Sequence, residues 1–399
     1  MINKMIFNII VILTFLTSTY LSENQTLFLL GKISVSLLVT LATGMSIIIV
    51  MFGSRFIRGK MVYVWLSFFL FTFFNFLSSL NGNYIFGFKG TFQIVSVYSV
   101  FLSCYYFSYN LNVLQSIKKF VNILRLMIWA ILIYALLGSE FNLYKAYFSN
   151  PNGLGMWLLT IYPWIFMATK NKCLKFLDLS IFIMLILFSG SRNSLLGLLL
   201  FLIIYYTYSF WSYNKFRFYS LLWISTITSI LIVLIFTSSN FSFLDDIAIS
   251  YTNKSLLSGR EDRWIATMQL ISESFFLGVG KGYTLESLTG IDISPHNQYL
   301  NIFLQLGLIG IILFFLCVLS FWGLMFKNKN KNIIRYLTAY FFSILFIQNF
   351  EVSLIQSNLS LVFPFWAFIG IALGISNKER EIYNEKNDLL LSKPPISKP

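Results

Sequence analysis

One stretch of the chain, from about residue 238 to residue 310, contains most of the residue types that could do chemistry. It includes the run SGREDRW, which begins at Ser258, and the run SPHNQ, which begins at Ser294. The second run carries His296, the single histidine of the 399 residues. Arginine forms paired hydrogen bonds to phosphate, and a neutral imidazole can accept a proton or bind a hydroxyl group. These residue types predict a site that handles an anion and a hydroxyl group.

A further arginine, Arg192, lies in the tight turn SGSRNS between two apolar runs. The sequence leaves two interpretations open, an interfacial arginine that reaches toward water and a group that binds an anion. Ser191 is a candidate cap for the helix that follows. A capping serine at this position would direct free backbone N–H groups toward the same anion.

Arg260 and Arg263 lie at the predicted start of an amphipathic helix. Ser258 and Glu261 have the spacing of a capping box, and apolar residues then recur at helical intervals, at Trp264, Ile265, Met268, Ile271 and Phe275. We expect this helix to lie on the membrane surface or over the helical bundle. Cations in a first turn oppose the helix dipole. Either Glu261 and Asp262 compensate them or a phosphate ligand does.

His296 follows a helix-start signal, with Ser294 as the cap and Pro295 at the first helical position. This pattern predicts that His296 lies in the first helical turn, where the dipole favours the neutral imidazole. Behind it, Asn297, Asn301 and Gln305 recur every four residues. Such a polar stripe should face a cavity or a neighbouring helix rather than lipid. A purely structural role for the histidine remains the alternative.

The remaining motifs carry little chemistry. The glycine-rich run that begins at Gly278 and contains Lys281 fits neither a dinucleotide-binding nor a phosphate-binding loop, and we interpret it as a flexible turn. The three cysteines are scattered and predict neither a disulfide framework nor a metal site. The adjacent acids Asp245 and Asp246 have no nearby histidine and are weak evidence for a metal.

Composition sets the element type that must position these residues. The chain is 57% hydrophobic and only 11% charged, whereas soluble domains carry about 25% charged residues. Repeated apolar runs near the length of a membrane crossing predict an all-α polytopic membrane protein. We predict twelve spans, at 5–21, 27–52, 61–80, 91–109, 121–138, 152–169, 174–189, 193–211, 219–237, 296–326, 333–350 and 358–376.

Charge predicts the orientation of these spans. With a cytoplasmic N-terminus, 21 of the 29 lysines and arginines fall on the inner side, and every inner connection is basic. Both termini are then cytoplasmic, and the 238–295 loop lies outside. The net charge of +14 is therefore a topological signal rather than a nucleic-acid footprint. We divide the chain into an integral membrane domain, 1–376, which includes the 238–295 loop, and a disordered tail, 377–399.

Charged residues inside the spans are scarce. Lys32, Arg125, Arg335 and Glu351 lie toward span ends, and the sequence suggests no carboxylate at a membrane midplane. Coupled transporters generally need such residues. The pattern therefore weighs against a transporter or flippase of lipid-linked sugar, which we keep as an alternative.

At the candidate residues the chain resembles a known family, the O-antigen ligase and polymerase superfamily of bacterial membrane glycosyltransferases. Arg192 followed by Leu196 resembles the family's arginine motif at the outer end of a span. Arg260, preceded by glycine and followed by a tryptophan, resembles another motif, and His296-Asn297 with a later Gly307-Leu-Ile-Gly310 resembles its histidine–glycine motif. Ligases often have two threonines after the last glycine. Here Ile311 and Ile312 stand there, a departure that favours the polymerase.

The resemblance implies a glycosyltransferase of GT-C-like architecture, with about twelve helices and a large outward loop before the tenth span. It implies a donor glycan carried on undecaprenyl diphosphate, with membrane lipid and a chain-length regulator protein as candidate partners. Arg192, Arg260 and His296 would be catalytic, and substrate binding falls to Arg263, Asn297, Asn301 and Lys281. Neither a metal nor a cofactor is implied. A ligase that passes polymer to lipid A core is the alternative within the family.

Overall fold

The computed structural model of the protein describes residues 2–52, 59–138, 143–238, 246–247, 249–250, 260–290, 294–355 and 357–391, with side chains as far as residue 383. Lys254, Ser258 and Gly259 lie outside these ranges. The described helices are α1 Ile2–Leu16, α2 Gln25–Phe52, α3 Met61–Asn81, α4 Tyr84–Asn110, α5 Leu114–Leu137, α6 Pro151–Ala168, α7 Lys172–Ser189, α8 Arg192–Tyr206, α9 Tyr208–Trp211, α10 Lys215–Phe236, α11 Glu261–Glu273, α12 Leu285–Thr289, α13 Gln298–Lys327, α14 Asn332–Ile347 and α15 Leu359–Leu391. A 3-10 helix, Thr17–Leu21, extends α1.

A helix occupies each of the twelve predicted spans. Eight are long and apolar enough to cross a membrane, namely α1 with its 3-10 extension, α2, α3, α4, α5, α10, α13 and α15. Two shorter apolar helices, α8 and α14, and the 18-residue helices α6 and α7 occupy the other four. The all-α, polytopic membrane architecture is therefore confirmed.

The helices divide into a buried centre and a lipid-facing periphery. In α15, 94% of the membrane-length window is buried, whereas in α5 only 22% is. The central helix α6 is buried continuously from Leu154 to Phe166. Glycine allows the tightest of these contacts, because a Cβ atom at Gly370 of α15 would lie 2.4 Å from the carbonyl oxygen of Phe101 in α4. Close backbone approach at small residues is the usual basis of helix association in membranes.

The connections between helices gather at two ends of the bundle. At one end, Lys329 donates to the carbonyl of Ser212 at 2.7 Å, and Lys331 pairs with Glu379 at 3.4 Å. We call this the basic end. At the opposite end, Lys145 pairs with Glu23 at 2.7 Å. The two ends carry the connections that the charge pattern assigns to opposite sides of the membrane. The cytoplasmic location of the basic end stays a prediction.

The last helix is longer than expected. We predicted a disordered tail from residue 377, but α15 continues to Leu391. The run Asn377-Lys-Glu-Arg-Glu381 consists largely of good helix formers, and Glu379 and Glu381 have partners elsewhere on the bundle, Lys331 and Tyr109. These contacts extend the helix beyond the membrane-length segment. Residues 392–399 lie outside the described ranges.

A buried carboxylate that the sequence analysis did not weigh lies within a span. Asp178 of α7 accepts from the Nε–H of Arg125, which lies 3.1 Å from both carboxylate oxygens, and from the indole of Trp129 at 3.3 Å. Asp178 and Arg125 are thus paired with each other, as charges in a membrane must be. The pair joins α5 to α7, and its position near the start of α7 makes it a structural link.

The tenth predicted span, 296–326, is not one straight crossing. Gly307 interrupts α13 with φ +62° and ψ −164°. The ring of Tyr299 lies 6.1 Å from that of Phe314 and 6.2 Å from that of Phe315. Residues 16 apart on a straight helix would be separated by about 24 Å. The N-terminal leg, 298–306, and the C-terminal leg, 308–327, therefore fold against each other as a helical hairpin with Gly307 at its apex.

A segment of turns, residues 275–280, clasps this apex. The N–H groups of Val279 and Gly280 donate to the carbonyls of Leu304 and Gln305, at 2.9 and 3.2 Å. The N–H groups of Leu308 and Ile309 donate to residues 275 and 276, at 2.8 and 3.3 Å. The helix break thus leaves these backbone groups satisfied, as irregular backbone within a membrane protein requires. The glycine-rich run therefore forms turns, as predicted, but its backbone hydrogen bonds make it a structural clasp rather than a free loop.

Candidate active site

Arg260 lies immediately before α11 and points back into the bundle. Its Nη1 donates to the carbonyl of Phe350 at 2.7 Å, and its Nη2 lies 3.9 Å from Oε1 of Glu351. The side chain is only 14% exposed. Arg260 itself occupies the N-cap position and makes no side-chain capping bond. The helix therefore begins later than a cap at Ser258 predicts, and Ser258 lies outside the described residues.

The electrostatics of Arg260 place three arginines near one another. Burial lowers the pKa of Arg260, the carboxylate of Glu351 raises it, and the charges of Arg263 and Arg192 lower it further. Arginine nevertheless stays protonated in proteins. The positive charges of Arg263 and Arg192 therefore act on Arg260, and the carboxylate of Glu351 offsets them in part. Such an arrangement suits an anionic ligand, because the ligand relieves the repulsion.

Packing of α8 against α14 puts Arg192 at this end of the bundle. The hydroxyl of Ser343 donates to the carbonyl of Gly197, while the hydroxyls of Tyr205 and Tyr336 lie 3.2 Å apart. The two helices are therefore antiparallel, and Arg192, five residues before Gly197, lies level with the end of α14. Its side chain is exposed. The loop that carries Phe350 and Glu351 begins at the same level.

The turn before Arg192 differs from its prediction in one detail. Ser191 occupies the N-cap position of α8 but makes no capping bond. Its hydroxyl instead pairs with that of Ser194 at 2.7 Å. Gly155 of α6 explains the difference, because a Cβ atom there would lie 2.4 Å from Cβ of Ser191. Ser191 is thus packed against α6, and Gly190, with φ +66°, makes the turn.

His296 lies just outside the helix that we predicted to contain it. The N-cap of α13 is Asn297, whose side chain accepts from the N–H groups of Tyr299 and Leu300, both at 3.0 Å. His296 precedes this cap with φ +47°. Asparagine satisfies two helical N–H groups, whereas Ser294 only accepts from the N–H of His296, at 3.2 Å. The stronger cap therefore sets the helix start, and the prediction of a first-turn histidine was wrong.

Glu351 connects His296 to Arg260. Nδ1 of His296 lies 3.8 Å from Oε2 of Glu351, whose other oxygen faces Arg260. The imidazole is 34% exposed and the carboxylate 19%, so both groups can meet a ligand. The indole of Trp264 donates to the carbonyl of Pro295 at 2.7 Å and fixes α11 against the histidine turn. Arg260 and His296, 36 residues apart in sequence, thus share one carboxylate.

The polar stripe on α13 faces protein, as predicted. Asn297 is fully buried, Asn301 is 8% exposed and Gln305 is 7% exposed. The amide nitrogen of Asn297 and both amide atoms of Gln298 are buried and have no hydrogen-bond partner among the described residues. Buried polar atoms normally find partners, so these amides mark a place for ordered water or ligand hydroxyls beside the histidine.

Lys281 lies apart from the arginines, in the clasp at the hairpin apex. Its Nζ donates to Oε1 of Gln305 at 3.0 Å, and its backbone N–H donates to the hydroxyl of Ser78 at 2.9 Å. The other amide atom of Gln305 donates to the carbonyl of Tyr283 at 3.0 Å. The side chain of Lys281 is 3% exposed, and burial lowers its pKa to about 7. The expected substrate-binding role of Lys281 remains untested, while its contacts are those of a structural link.

Sequence reasoning noted Glu351 only as a charge near a span end. It is the one carboxylate in the connection between α14 and α15. The sequence could have indicated a site residue here, because this charge directly follows an apolar helix and the polar pair Gln348-Asn349. Its partners, Arg260 and His296, are 91 and 55 residues away, so no local pattern joins them. In the described part of the chain, no three His, Cys, Asp or Glu residues gather where they could hold a metal ion.

Comparison with known proteins gives one family. Residues 179–315 match the family model described as O-antigen ligase. The matched range runs from α7 into the second leg of the α13 hairpin and contains Arg192, Arg260, Arg263 and His296, but it ends before Glu351. No curated protein matches the chain. Over this range the chain is similar to the O-antigen ligase family, which confirms its resemblance to the O-antigen ligase and polymerase superfamily and supports a glycosyl-transfer activity of that type.

Proposed function

We propose that this protein polymerises lipid-linked oligosaccharide repeat units into a surface polysaccharide, O-antigen or capsule, at the outer face of the bacterial cytoplasmic membrane. The observation that carries the proposal is the arrangement of Arg260 and His296 about the shared carboxylate of Glu351. A cluster of arginines suits a diphosphate, and the histidine beside it suits an acceptor hydroxyl. The match to the O-antigen ligase family supports this class of reaction.

The arginines act on the donor. Undecaprenyl diphosphate leaves a sugar readily when its charge is met, and preorganised cations meet that charge without reorganising during the reaction. Arg260 is held by the carbonyl of Phe350, so its guanidinium is fixed before the ligand arrives. Arg192 and Arg263 complete the positive field around it. In this proposal the guanidinium groups supply the positive charge for the leaving group, and no metal ion takes part.

The histidine acts on the acceptor, the terminal sugar of another lipid-linked unit. With Nδ1 of His296 facing Glu351, the lone pair of Nε2 is available to a hydroxyl group. A carboxylate in this position holds the ring and stabilises the imidazolium after proton transfer. The unpartnered amides of Asn297 and Gln298 could bind sugar hydroxyls beside it.

The step is a single displacement. The acceptor oxygen forms a bond to the anomeric carbon of the donor and loses its proton to His296. The bond between that carbon and the phosphate oxygen breaks, and its electron pair leaves with undecaprenyl diphosphate. Attack opposite the leaving group inverts the anomeric carbon. The released proton passes from His296 to solvent.

A ligase is the second candidate, since the matched family model is described as O-antigen ligase. Ile311 and Ile312 follow Gly310 in the second leg of the hairpin, where Ile312 is 50% exposed on the lipid-facing side. Ligases that resemble this chain often carry two threonines here. The apolar pair favours the polymerase and supplies no hydroxyl groups for a second class of acceptor.

Deletion of the gene tests the proposal. A polymerase deletion should leave lipid-linked glycan at one repeat unit, seen by mass analysis of the undecaprenyl-linked pool beside a gel ladder of surface glycan. His296→Ala should give the same result at normal protein abundance, with polymer formation lowered roughly 10²- to 10⁴-fold. Long polymer that accumulates on undecaprenyl diphosphate in the deletion strain would instead identify a ligase.

A further inference from the structure

A groove lies between α1 and α5, at the basic end of the bundle and away from the arginine site. Its cavity measures about 280 Å³. Residues on one face of each helix line it, among them Lys4, Asn8 and Ile12 of α1 and Lys119 and Ile123 of α5. The two helices run in the same direction, so residues early in both helices lie toward the basic end. The proposed glycosyl transfer makes no use of this groove.

The lining of the groove changes from polar to apolar along its length. At the basic end it offers the polar side chains of Lys4, Asn8, Ser116 and Lys119 beside the apolar Phe7 and Ile117. Further in, the lining is apolar and includes Val11, Ile12, Phe120 and Ile123. Eight residues separate Lys4 from Ile12, a rise of about 12 Å. This order of charged, polar and apolar groups matches the order of groups along one phospholipid, from headgroup to acyl chain.

The groove is open to the membrane from the side and closed at its deep end. Ile12 is 45% exposed and Ile123 is 63% exposed, so both face the surrounding hydrocarbon. The rings of Phe15 and Phe120 meet at 4.8 Å and close the gap between the helices. A lipid can therefore enter laterally and lie along the groove without leaving the bilayer.

Charge selects the kind of lipid. Among the described residues that line the groove, two are lysines and none is acidic. Basic residues near a membrane surface attract anionic headgroups, and basic pockets between membrane helices bind them. A zwitterionic headgroup would bring its own positive charge close to the two lysines, so its electrostatic attraction to the groove would be small. We propose that the α1–α5 groove is a binding site for an anionic phospholipid, with Lys4 and Lys119 holding its phosphate and the apolar wall holding one acyl chain.

The test measures retention of lipid by the purified full-length protein. Protein in detergent is mixed with phosphatidylglycerol or with phosphatidylcholine of the same acyl chains, and bound lipid is counted by native mass spectrometry. We expect phosphatidylglycerol to bind more tightly. The double variant Lys4→Gln with Lys119→Gln should weaken phosphatidylglycerol binding roughly 30-fold, since each lysine near a headgroup contributes about 1 kcal/mol.

Lys118→Gln is the matched control, because Lys118 adjoins Lys119 on the same helix, is exposed and does not line the groove. It should keep the wild-type preference. Ile12→Trp, which fills the apolar part while leaving both lysines, should lower binding of both lipids. Unchanged phosphatidylglycerol binding in the double lysine variant would overturn the proposal.

Two further outcomes would also overturn it. Equal binding of the two lipids would show that headgroup charge is not recognised. Displacement of bound phosphatidylglycerol by millimolar inorganic phosphate would show a site for free phosphate rather than for a lipid. Because the substitutions lie at the opposite end of the bundle from the arginines, glycan polymerisation in the variants reports separately on the proposed reaction.

Discussion

A single carboxylate organises the candidate site at the level of residues. Glu351 faces Arg260 with one oxygen and His296 with the other, at 3.9 and 3.8 Å. It therefore offsets part of the arginine charge and lies close enough to stabilise a protonated imidazole. We therefore expect Glu351→Gln to lower activity although it preserves the shape of the side chain. We also expect Arg260→Lys to lower activity although it preserves the charge.

Arg260→Lys tests whether the guanidinium shape is needed. Lysine keeps the positive charge but cannot hold the carbonyl of Phe350 and a phosphate oxygen in a fixed fork. Loss of charge-assisted hydrogen bonds worth about 1.5–3 kcal/mol should lower the rate of polymer formation roughly 10- to 100-fold. The measurement is polymer formation in membranes at matched protein level.

Arg217→Lys is the control for this substitution. Arg217 lies over the rings of Phe210 and Tyr213 at the start of α10, toward the basic end. Its replacement should leave activity unchanged. Wild-type activity in Arg260→Lys would exclude the proposed phosphate contact.

Glu351→Gln tests the shared carboxylate. Glutamine has the same shape but carries no charge, so it neither offsets the arginines nor stabilises a protonated His296. We expect the rate at saturating donor to fall, while donor binding is kept or strengthened because one repulsive charge has been removed. Donor titrations of polymer formation separate the two effects. If Glu351→Gln weakened donor binding and left the maximal rate intact, the assigned role would be wrong.

At the level of elements, the helical hairpin of α13 sets where the histidine lies. Tyr299 and Phe315 are each eight residues from Gly307, and their rings meet at 6.2 Å. The N-terminal leg therefore turns back from the apex and carries His296 and Asn297 to the level of the loop after α14. There the N–H of Gln298 donates to the carbonyl of Gln348 at 2.9 Å.

Cross-linking tests the hairpin directly. Paired substitutions Tyr299→Cys and Phe315→Cys should be joined within one chain by a short thiol-reactive linker, because the hairpin brings the two positions together. The pair Leu304→Cys and Ser320→Cys has the same separation in sequence. Leu304 lies close to the apex and Ser320 far along the second leg, so this pair should not be joined. Peptide mass analysis detects the link. Equal cross-linking of both pairs, or of neither, would contradict the hairpin.

The clasp gives the protein a pH-dependent element. Burial lowers the pKa of Lys281 to about 7, from 10.5 for an unhindered lysine. Between these values the unfolded chain binds more protons than the folded chain, so folded stability should rise as pH increases from about 7 toward 10. Lys281→Met should remove this rise in thermal unfolding midpoint, whereas Lys89→Met, at an exposed position on α4, should keep it. A rise that persists in Lys281→Met would exclude Lys281 as its source.

At the level of the whole molecule, the orientation of the bundle decides whether the proposed reaction meets its substrate. The basic connections lie at one end and the arginine site at the other, which predicts cytoplasmic termini and an external site. Reporter fusions at Lys254 and after residue 378 should report opposite sides of the membrane. Fusions that place the 238–295 loop in the cytoplasm would reject both the topology and the proposed mechanism.

The sequence predicted the features that depend on the length of apolar runs and on local motifs. Each predicted span is helical, α11 packs over the bundle through buried Trp264 and Ile271, and the arginine and histidine motifs lie at one end. The sequence could not predict the hairpin, because the residues around Gly307 are as apolar as those of a continuous helix. Glu351 was missed because its contacts join distant segments. His296 was misplaced because Asn297 is a stronger cap than Ser294.

The excess charge of the arginine cluster has a consequence for turnover. Burial and the charges of Arg263 and Arg192 disfavour the charged form of Arg260, and Glu351 offsets this only in part. In the proposed reaction, a diphosphate linked to both sugar and lipid brings two negative charges to this cluster. The leaving group keeps the diphosphate, and the oxygen that bridged to the sugar becomes a terminal, negatively charged oxygen, so after transfer the carrier is held at least as strongly as the donor was. Each cycle then ends with a tightly held spent carrier, and its departure rather than sugar transfer would set the pace of chain growth.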